Sequence, residues 1–588
     1  MIKVEKLTYG FPAKDLYNDI SFNIEAGSHC VLIGSNGTGK STLVDLIIDP
    51  EEYLFDGKIT KAEECRIGYA SQFCIREKLK KCTVFEYLSE RFEENEREIE
   101  KACEAMATAE DMEKAFARYQ ELLDIGEAMD KDNFESNIRK QLYTAGMKDL
   151  ENTQIDQISG GEYKLIQIMR EMLTSPNLLI LDEPDVFLDF GNLAGLCQLI
   201  NSYKGTLLVI THNRYLLNHC FTKVLHLENG DIQEFDGTYA QYRCTVLREK
   251  LKLKLQSIEE QEEIERTQEM VNILRKRASD MVNPVIGQSV NAKQSQLDRL
   301  RARQIKAPFI EVREPEIVLP KVEATKEESA QEESAQEPRT ILKVENYSVS
   351  FDERLLENVE FEIKEGEKVA VVGENGTGKT TLINDILAND NPSIHIAEGV
   401  KYACLSQLKS SIEMDNKTVY ELLLDAGFNT RAEAASYLAK YCMEKEILDE
   451  PAMILSGGEQ NMLQIALIAL SDAEFLILDE PTSHLDIYGQ MALEKAIAEY
   501  KGTVLMVSHD FYLVAGCADY VLMVDENTVR RMRTRKFRKM VYDRYFDQKY
   551  LETDRNKQEL ESQISLAFKN ENFASVDKLC TQLEAISL

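Results

Sequence analysis

Paired cysteines are the first absence. Twelve cysteines are scattered along the chain with no CxxC anywhere, which argues against a zinc ribbon, a ferredoxin-type cluster and a secreted disulfide framework. Reduced, mostly buried thiols are the expectation. Long apolar runs are missing too: no stretch approaches the about 18 residues that suggest a membrane span. The opening MIKVEKLTY lacks the basic-then-apolar build of a signal peptide, so the expected location is the cytoplasm. Positive charge is scarce. With 69 Lys and Arg against 102 Asp and Glu, the net charge is −33, and any nucleic-acid contact has to come from local basic patches. The 588 residues suggest roughly four domains at about 150 residues each, but an internal repeat points to two large ones.

That repeat is what the chain has instead. GSNGTGKST, comprising Gly34, Ser35, Asn36, Gly37, Thr38, Gly39, Lys40, Ser41 and Thr42, returns as GENGTGKTT, comprising Gly373, Glu374, Asn375, Gly376, Thr377, Gly378, Lys379, Thr380 and Thr381. Both copies fit GxxxxGK[ST], follow a short apolar run and open a helical pattern. Glycines let such a loop wrap a phosphate with backbone N–H groups, the helix N-terminus adds a favourable dipole, and Lys40 or Lys379 supplies positive charge. Ser41 and Thr380 are then placed to hold Mg²⁺.

Further motifs recur. CRIGYASQ ends in Gln72 and KYACLSQ in Gln407; a strand-end amide can reach a metal or an attacking water, although taken alone it more often bonds its own loop. Ser159, Gly160 and Gly161, like Ser456, Gly457 and Gly458, precede an amphipathic helix, a second anion-binding helix start in each half. NLLILDEP and EFLILDEP end apolar strands on Asp182 and Glu183, and on Asp479 and Glu480. A buried carboxylate pair costs stability unless something uses it, and a metal-coordinating aspartate beside a water-orienting glutamate explains it. His212 and His509 close two further strands. Ser159 and Ser456, Asp182 and Asp479, and His212 and His509 are all separated by the same 297 residues, a register that chance does not supply. Alternating strands and helices predict an α/β fold with a parallel sheet in each half and ligands at the carboxyl ends of its strands.

Phosphate loop, strand-end Gln, SGGE, LDEP and strand-end His, twice over, resemble the nucleotide-binding domain of ATP-binding cassette proteins. Two such domains joined by a charged helical linker, without membrane spans, resemble the ABC-F family of ribosome-associated ATPases. The resemblance implies two P-loop domains in a head-to-tail sandwich around two ATP molecules and Mg²⁺. One site would join Lys40, Gln72, Asp182, Glu183 and His212 with Ser456; the other would join Lys379, Gln407, Asp479, Glu480 and His509 with Ser159. Gln72 and Gln407 would assist Asp182 and Asp479 at the metal, and Phe11 and Phe351 occupy places where such domains stack a ring on adenine. It also implies a ribosomal partner, contacted through ribosomal and transfer RNA, with translation control or antibiotic protection as the outcome. The rival reading is the ATP-hydrolysing subunit of a membrane transporter, which leaves the linker unexplained. A DNA-repair or chromosome-organising ATPase would need a longer coiled coil or zinc cysteines. One departure stands out: the second copy reads DEPTSHLD but the first DEPDVFLD, with Asp185, Val186 and Phe187 replacing polar residues, which predicts unequal hydrolysis at the two sites.

The expected organisation is a first nucleotide-binding domain over 1–242 with a helical insert at about 84–150, a helical hairpin linker over 243–325, an acidic tether over 326–338, a second such domain over 339–540 and a helical tail over 541–588. The hairpin tip is MVNPVIGQSV. Its flanks carry Arg275, Lys276, Arg277, Lys293, Arg299, Arg301, Arg303 and Lys306, which can grip RNA phosphates or serve as a solvated coiled-coil end; the residues alone leave both open. RRMRTRKFRK, 530–539, reads as a charged hairpin edge or a further RNA contact. A monomer pairing its two halves is expected.

Overall fold

The computed structural model describes every residue except 12–13, 63–64, 73–80, 107–111, 187, 281–292, 298–313, 322–337, 351–353, 406–416, 526, 546–555, 558, 561–562, 565, 568–571 and 588. Several expectations fall on the omitted residues: Phe351, Gln407, Phe187, the hairpin tip, Arg299, Arg301, Arg303, Lys306 and nearly all of the acidic tether lie outside the described residues. The chain divides into two compact units. Met1–Glu234 with Arg313–Leu551 form one, and Phe235–Val312 with Glu552–Leu588 the other.

The first half of the larger unit begins with β1 (Ile2–Phe11), β2 (Lys14–Ile24), β3 (His29–Ile33), α1 (Lys40–Ile48), β4 (Asp56–Lys61) and β5 (Ile67–Ala70). Three helices of the insert follow, α2 (Val84–Met106), α3 (Met112–Ala128) and α4 (Phe134–Thr144). The half continues with α5 (Gly160–Leu173), β6 (Leu178–Asp182), α6 (Phe190–Ser202), β7 (Thr206–Ile210), α7 (Arg214–His219), β8 (Lys223–Glu228) and β9 (Asp231–Asp236). Its main sheet runs β5-β6-β7-β3-β8-β9, and a three-stranded sheet runs β2-β1-β4. Every residue of β6 and β7 is buried, the continuous apolar pattern of parallel strands covered on both faces. β3 has β7 on one side and β8 on the other, both parallel to it. Strand order reverses there, so a crevice opens beyond its carboxyl end, and the residues that follow β3 are the phosphate loop.

α8 (Tyr239–Asp280) belongs to the smaller unit. The second half repeats the plan with β10 (Thr340–Ser350), β11 (Arg354–Lys364), β12 (Lys368–Gly373), α9 (Lys379–Ala388), β13 (Ile394–Ile396), β14 (Tyr402–Leu405), α10 (Val419–Asp425), α11 (Arg431–Leu438), α12 (Gly457–Ala469), β15 (Phe475–Asp479), α13 (Ile487–Glu499), β16 (Thr503–Val507), α14 (Phe511–Cys517), β17 (Tyr520–Asp525), β18 (Thr528–Arg533) and α15 (Thr534–Tyr545). The sheet order β14-β15-β16-β12-β17-β18 matches that of the first half strand for strand. Leu319, in a stretch expected to belong to the linker, is buried in the core of this second half. The basic run 530–539 is split: Arg531 bonds Glu367 and the Glu362 carbonyl from an antiparallel edge strand, while Phe537 is fully buried in α15.

In the smaller unit, α16 (Phe573–Ser587) packs on α8. Cys244, Ile564, Val576, Cys580 and Leu583 form its core, and Arg248 reaches Asp577 at 3.0 Å and Thr581 at 3.1 Å. The tail, which had no expected role, thus braces the start of the long helix. Residues 293–297 return as helix, and Arg275 donates to Gln294 at 2.9 Å.

Candidate functional site

Chain geometry forces the loop after β3 to be glycine-rich. A Cβ at Gly34 would lie 2.0 Å from the Leu227 carbonyl oxygen, and Gly39 caps α1 with φ of 93°, a conformation that L side chains resist. Thr38 closes the turn on Ser35 at 2.9 Å, as Thr377 does on Glu374. The Lys40 ammonium donates to the carbonyls of Gly34 and Ser35, both at 2.9 Å; Lys379 donates to those of Gly373 at 2.9 Å and Glu374 at 2.6 Å. Each lysine is only 7% exposed. Burial draws both ammonium groups below their usual pKa, against the pull of the surrounding carboxylates. These are cations held for an anion.

The carboxylates meet them from neighbouring strands. Burial raises Asp182 and Asp479 to about 6, and Ser41 hydrogen-bonds Asp182. Glu183 and Glu480 have φ of 44° and 47°, left-handed backbone that costs a non-glycine residue on the order of 1 kcal/mol. Their backbone N–H groups, bonded to Ile210 and Val507 at 2.9 Å, hold them there. Gln72 donates to Glu183, and Glu480 accepts from the His509 backbone at 3.3 Å. Burial lifts Glu480 to about 8 and also raises Glu183. Burial, with Lys379 nearby, lowers His509 to about 3, and His212 is driven down in the same way beside Lys40. Both imidazoles are therefore neutral.

Unmet hydrogen bonds say what these groups are for. Asp182 Oδ1, Asp479 Oδ1, both ring nitrogens of His212 and Nδ1 of His509 are buried with no partner among the described residues. Such groups are costly unless a ligand completes them. A triphosphate supplies acceptors for the imidazoles and lysines. Ser41 beside Asp182, and Thr380 with Asp479 on one cavity wall, offer the hard oxygen ligands that suit Mg²⁺, so the residues fit both groups.

The two halves face each other across these loops. Ser159 caps α5 and Ser456 caps α12, each in a capping box with the glutamate of its SGGE. A cavity of about 560 Å³ brings Gly160 and Gly161 from the first half together with Lys379, Thr380, Thr381, Asp479, Glu480 and His509 from the second. On the opposite face, a Cβ on Gly458 would sit 2.2 Å from the Asn36 amide. Asp486 accepts from the Asn36 backbone at 3.2 Å, the His484 carbonyl accepts from the Asn36 side chain at 2.7 Å, and Asp189 accepts from the Asn375 backbone at 3.4 Å. Each phosphate loop is thus bonded to the turn that follows the carboxylates of the other half.

Phe11 stands apart at the end of β1, 52% exposed. An aromatic chain still links it inward: its ring meets Tyr9 edge-on at 5.7 Å, Tyr9 stacks on Tyr17 at 6.3 Å, and the Tyr17 hydroxyl donates to the Gly39 carbonyl. Sequence reasoning missed Tyr17, which carries no motif. It also missed Arg214, which sits just after the strand-end His212. Its guanidinium spans both carboxylate oxygens of Glu494 in the other half and lies 4.4 Å over the Tyr512 ring. With Arg214 and Glu494 both largely buried, Glu494→Ala is expected to destabilise the chain by about 2–4 kcal/mol, because it strips a buried guanidinium of its main partner. Urea titration checks this; a loss under about 0.5 kcal/mol, the size of a surface pair, refutes it.

Two doubly wound sheets, each with a phosphate loop facing the serine-glycine helix start of the other, define a tandem nucleotide-binding-domain ATPase. The chain belongs to the ATP-binding cassette family: the family description "ABC transporter" matches residues 17–186 and 356–483. It is 28% identical over 542 residues to an ABC transporter F family member 2 of Arabidopsis thaliana, covering 89% of this chain and 76% of that one. It is 27% identical over 532 residues to the energy-dependent translational throttle protein EttA of Haemophilus influenzae, covering 87% and 89%. An archaeal ribosome recycling factor aABCE1, solved with the ribosomal stalk protein aP1, shares the fold with a TM-score of 0.54, 19% identity and 92% coverage of each chain. The chain is thus an ATP hydrolase of the cassette type with relatives in the ABC-F branch. No helix among the described residues is long and apolar enough to cross a membrane.

Proposed function

We propose that the chain is a cytoplasmic ABC-F-type ATPase that closes on two ATP molecules and acts on the ribosome through the segment 243–325, regulating translation or protecting the ribosome from antibiotics. The observation that carries the closure is the reciprocal bonding of Asn36 to Asp486 and His484 and of Asn375 to Asp189. Lys40 and Lys379 would bind the terminal phosphates, with the backbone N–H groups of 34–42 and 373–381 around them and Ser456 to Gly458 or Ser159 to Gly161 closing from across. Ser41, Gln72 and Asp182 would hold one Mg²⁺, and Thr380, Gln407 and Asp479 the other. When bound, the metal neutralises charge on the phosphate being transferred. Glu183 and Glu480 would orient the attacking water, and the neutral His212 and His509 would donate to the phosphate.

The ribosomal partner rests on what the relatives' names state, a translational throttle and a ribosome recycling factor, together with the cations of the linker. Sucrose-gradient sedimentation of a Glu183→Gln, Glu480→Gln variant with ribosomes tests it. Co-sedimentation is expected with ATP and absent without it. Reversing the charge of Arg275, Arg277 and Arg299 is expected to abolish co-sedimentation while leaving ATP binding intact; unchanged sedimentation sinks the linker's role.

A further inference from the structure

The two SGGE helices differ in charge one turn in from their tips. Lys164 occupies in α5 the place that Asn461 occupies in α12. It is only 5% exposed, and a buried ammonium must be held by acceptors. Its Nζ donates to the Gln72 carbonyl at 2.6 Å and the Ser71 carbonyl at 3.2 Å. The side-chain amide of the same Gln72 donates to Glu183. Lys164 therefore anchors the backbone of the residue whose side chain holds the glutamate of the Lys40 site.

At its tip the same helix serves the other site. Gly160 and Gly161 line the cavity that holds Lys379, and a Cβ on Gly161 would lie 3.1 Å from the Asn375 amide. Four residues separate Gly160 from Lys164, about 6 Å of helix at 1.5 Å per residue. A shift of α5 caused by whatever fills the Lys379 site thus reaches Gln72 with no intervening side chain but Lys164. α12 is tied elsewhere: the Asn461 amide donates to the carbonyls of Pro481 at 3.0 Å and Ser483 at 2.9 Å, in the turn after Glu480.

Resting on the two-ATP reading above, we propose that Lys164 is a positioning residue through which the nucleotide in the Lys379 site sets the orientation of Gln72 and Glu183, and so the hydrolysis rate, in the Lys40 site. α12 does not repeat this contact, because the neutral Asn461 grips the turn after Glu480.

The test uses the full chain in two backgrounds. Glu480→Gln leaves the Lys40 site to hydrolyse, and Glu183→Gln leaves the Lys379 site. In the first, Lys164→Met is expected to slow single-turnover hydrolysis roughly ten- to hundredfold, the scale of a misplaced catalytic group, with KM for ATP within about twofold. Lys164→Arg, which keeps charge and donors, is expected to restore most of the rate. In the second background Lys164→Met is expected to change the rate by less than about threefold, which also reports that α5 is folded. Equal losses in both backgrounds, or none in either, overturn the coupling while hydrolysis itself stands. A chain that binds no ATP at either site overturns the two-site reading, and this inference with it.

Discussion

Steady-state ATP hydrolysis is expected to fall about a thousandfold in a Glu183→Gln, Glu480→Gln double variant, within the range that a positioned acid or base contributes, while ATP stays bound. The substitution keeps the shape of each side chain while removing its charge and its capacity to take a proton. Both glutamates sit at the carboxyl end of a buried strand in a left-handed conformation held by a backbone bond to the neighbouring strand, and that bond survives the change. Each amide fills the volume of the carboxylate it replaces, so folding should be spared. Phosphate release measures the loss and nucleotide retention on a desalting column the binding; a fall below tenfold would remove both glutamates from the chemistry. The single variants should differ from each other. Glu183 accepts from the Gln72 amide and Glu480 from the His509 backbone. The turns that follow diverge, with Asp185 half-buried and accepting from Thr211 at 2.5 Å where the other half has the buried Thr482. Equal single-turnover rates in the two single variants would overturn the asymmetry.

The fold and the inner parts of each site were legible because each rests on local chemistry repeated at a fixed register. An apolar strand ending in a glycine loop, a carboxylate pair or a histidine reads the same way in isolation as in the folded chain, and the sheet orders of the two halves match strand for strand. What was not legible depends on residues distant in sequence. Asp189 and Asp486 look like ordinary helix caps, and they do cap α6 and α13, but their second carboxylate oxygen reaches a phosphate loop 186 or 450 positions away. Phe190 starts an amphipathic helix of the first half, yet it packs its ring against Phe511 and Phe537 of the second. Lys164 reads as one more polar residue in a helix until burial forces its ammonium onto the Gln72 loop. Side chains that join the halves obey no local period, so only tertiary contact identifies them.

Glycine at the helix tips offers the sharpest discrimination between the two faces. Gly458→Ala is expected to slow hydrolysis at the Lys40 site by up to about a hundredfold, and Gly161→Ala to slow the Lys379 site by less than about tenfold; overpacking costs about 1–3 kcal/mol, and 1.4 kcal/mol is a factor of ten. The added methyl at Gly458 would lie 2.2 Å from the Asn36 amide and 2.6 Å from the His484 carbonyl oxygen. The carbonyl is backbone in a turn fixed by Asp486, whose other oxygen caps α13, so it cannot withdraw. The Asn36 amide can swing aside only by giving up its 2.7 Å bond to that carbonyl, one of the contacts that draw the halves together. At Gly161 the nearest described atoms are the amide ends of Asn192 and Asn375, at 2.9 and 3.1 Å, both the far ends of flexible side chains. Single-turnover rates, Gly458→Ala in the Glu480→Gln background and Gly161→Ala in the Glu183→Gln background, separate the cases. Equal tolerance of the two alanines would mean that the faces do not meet in this way when ATP is hydrolysed, because the clash with the Asn36 amide exists only while that loop lies against Gly458.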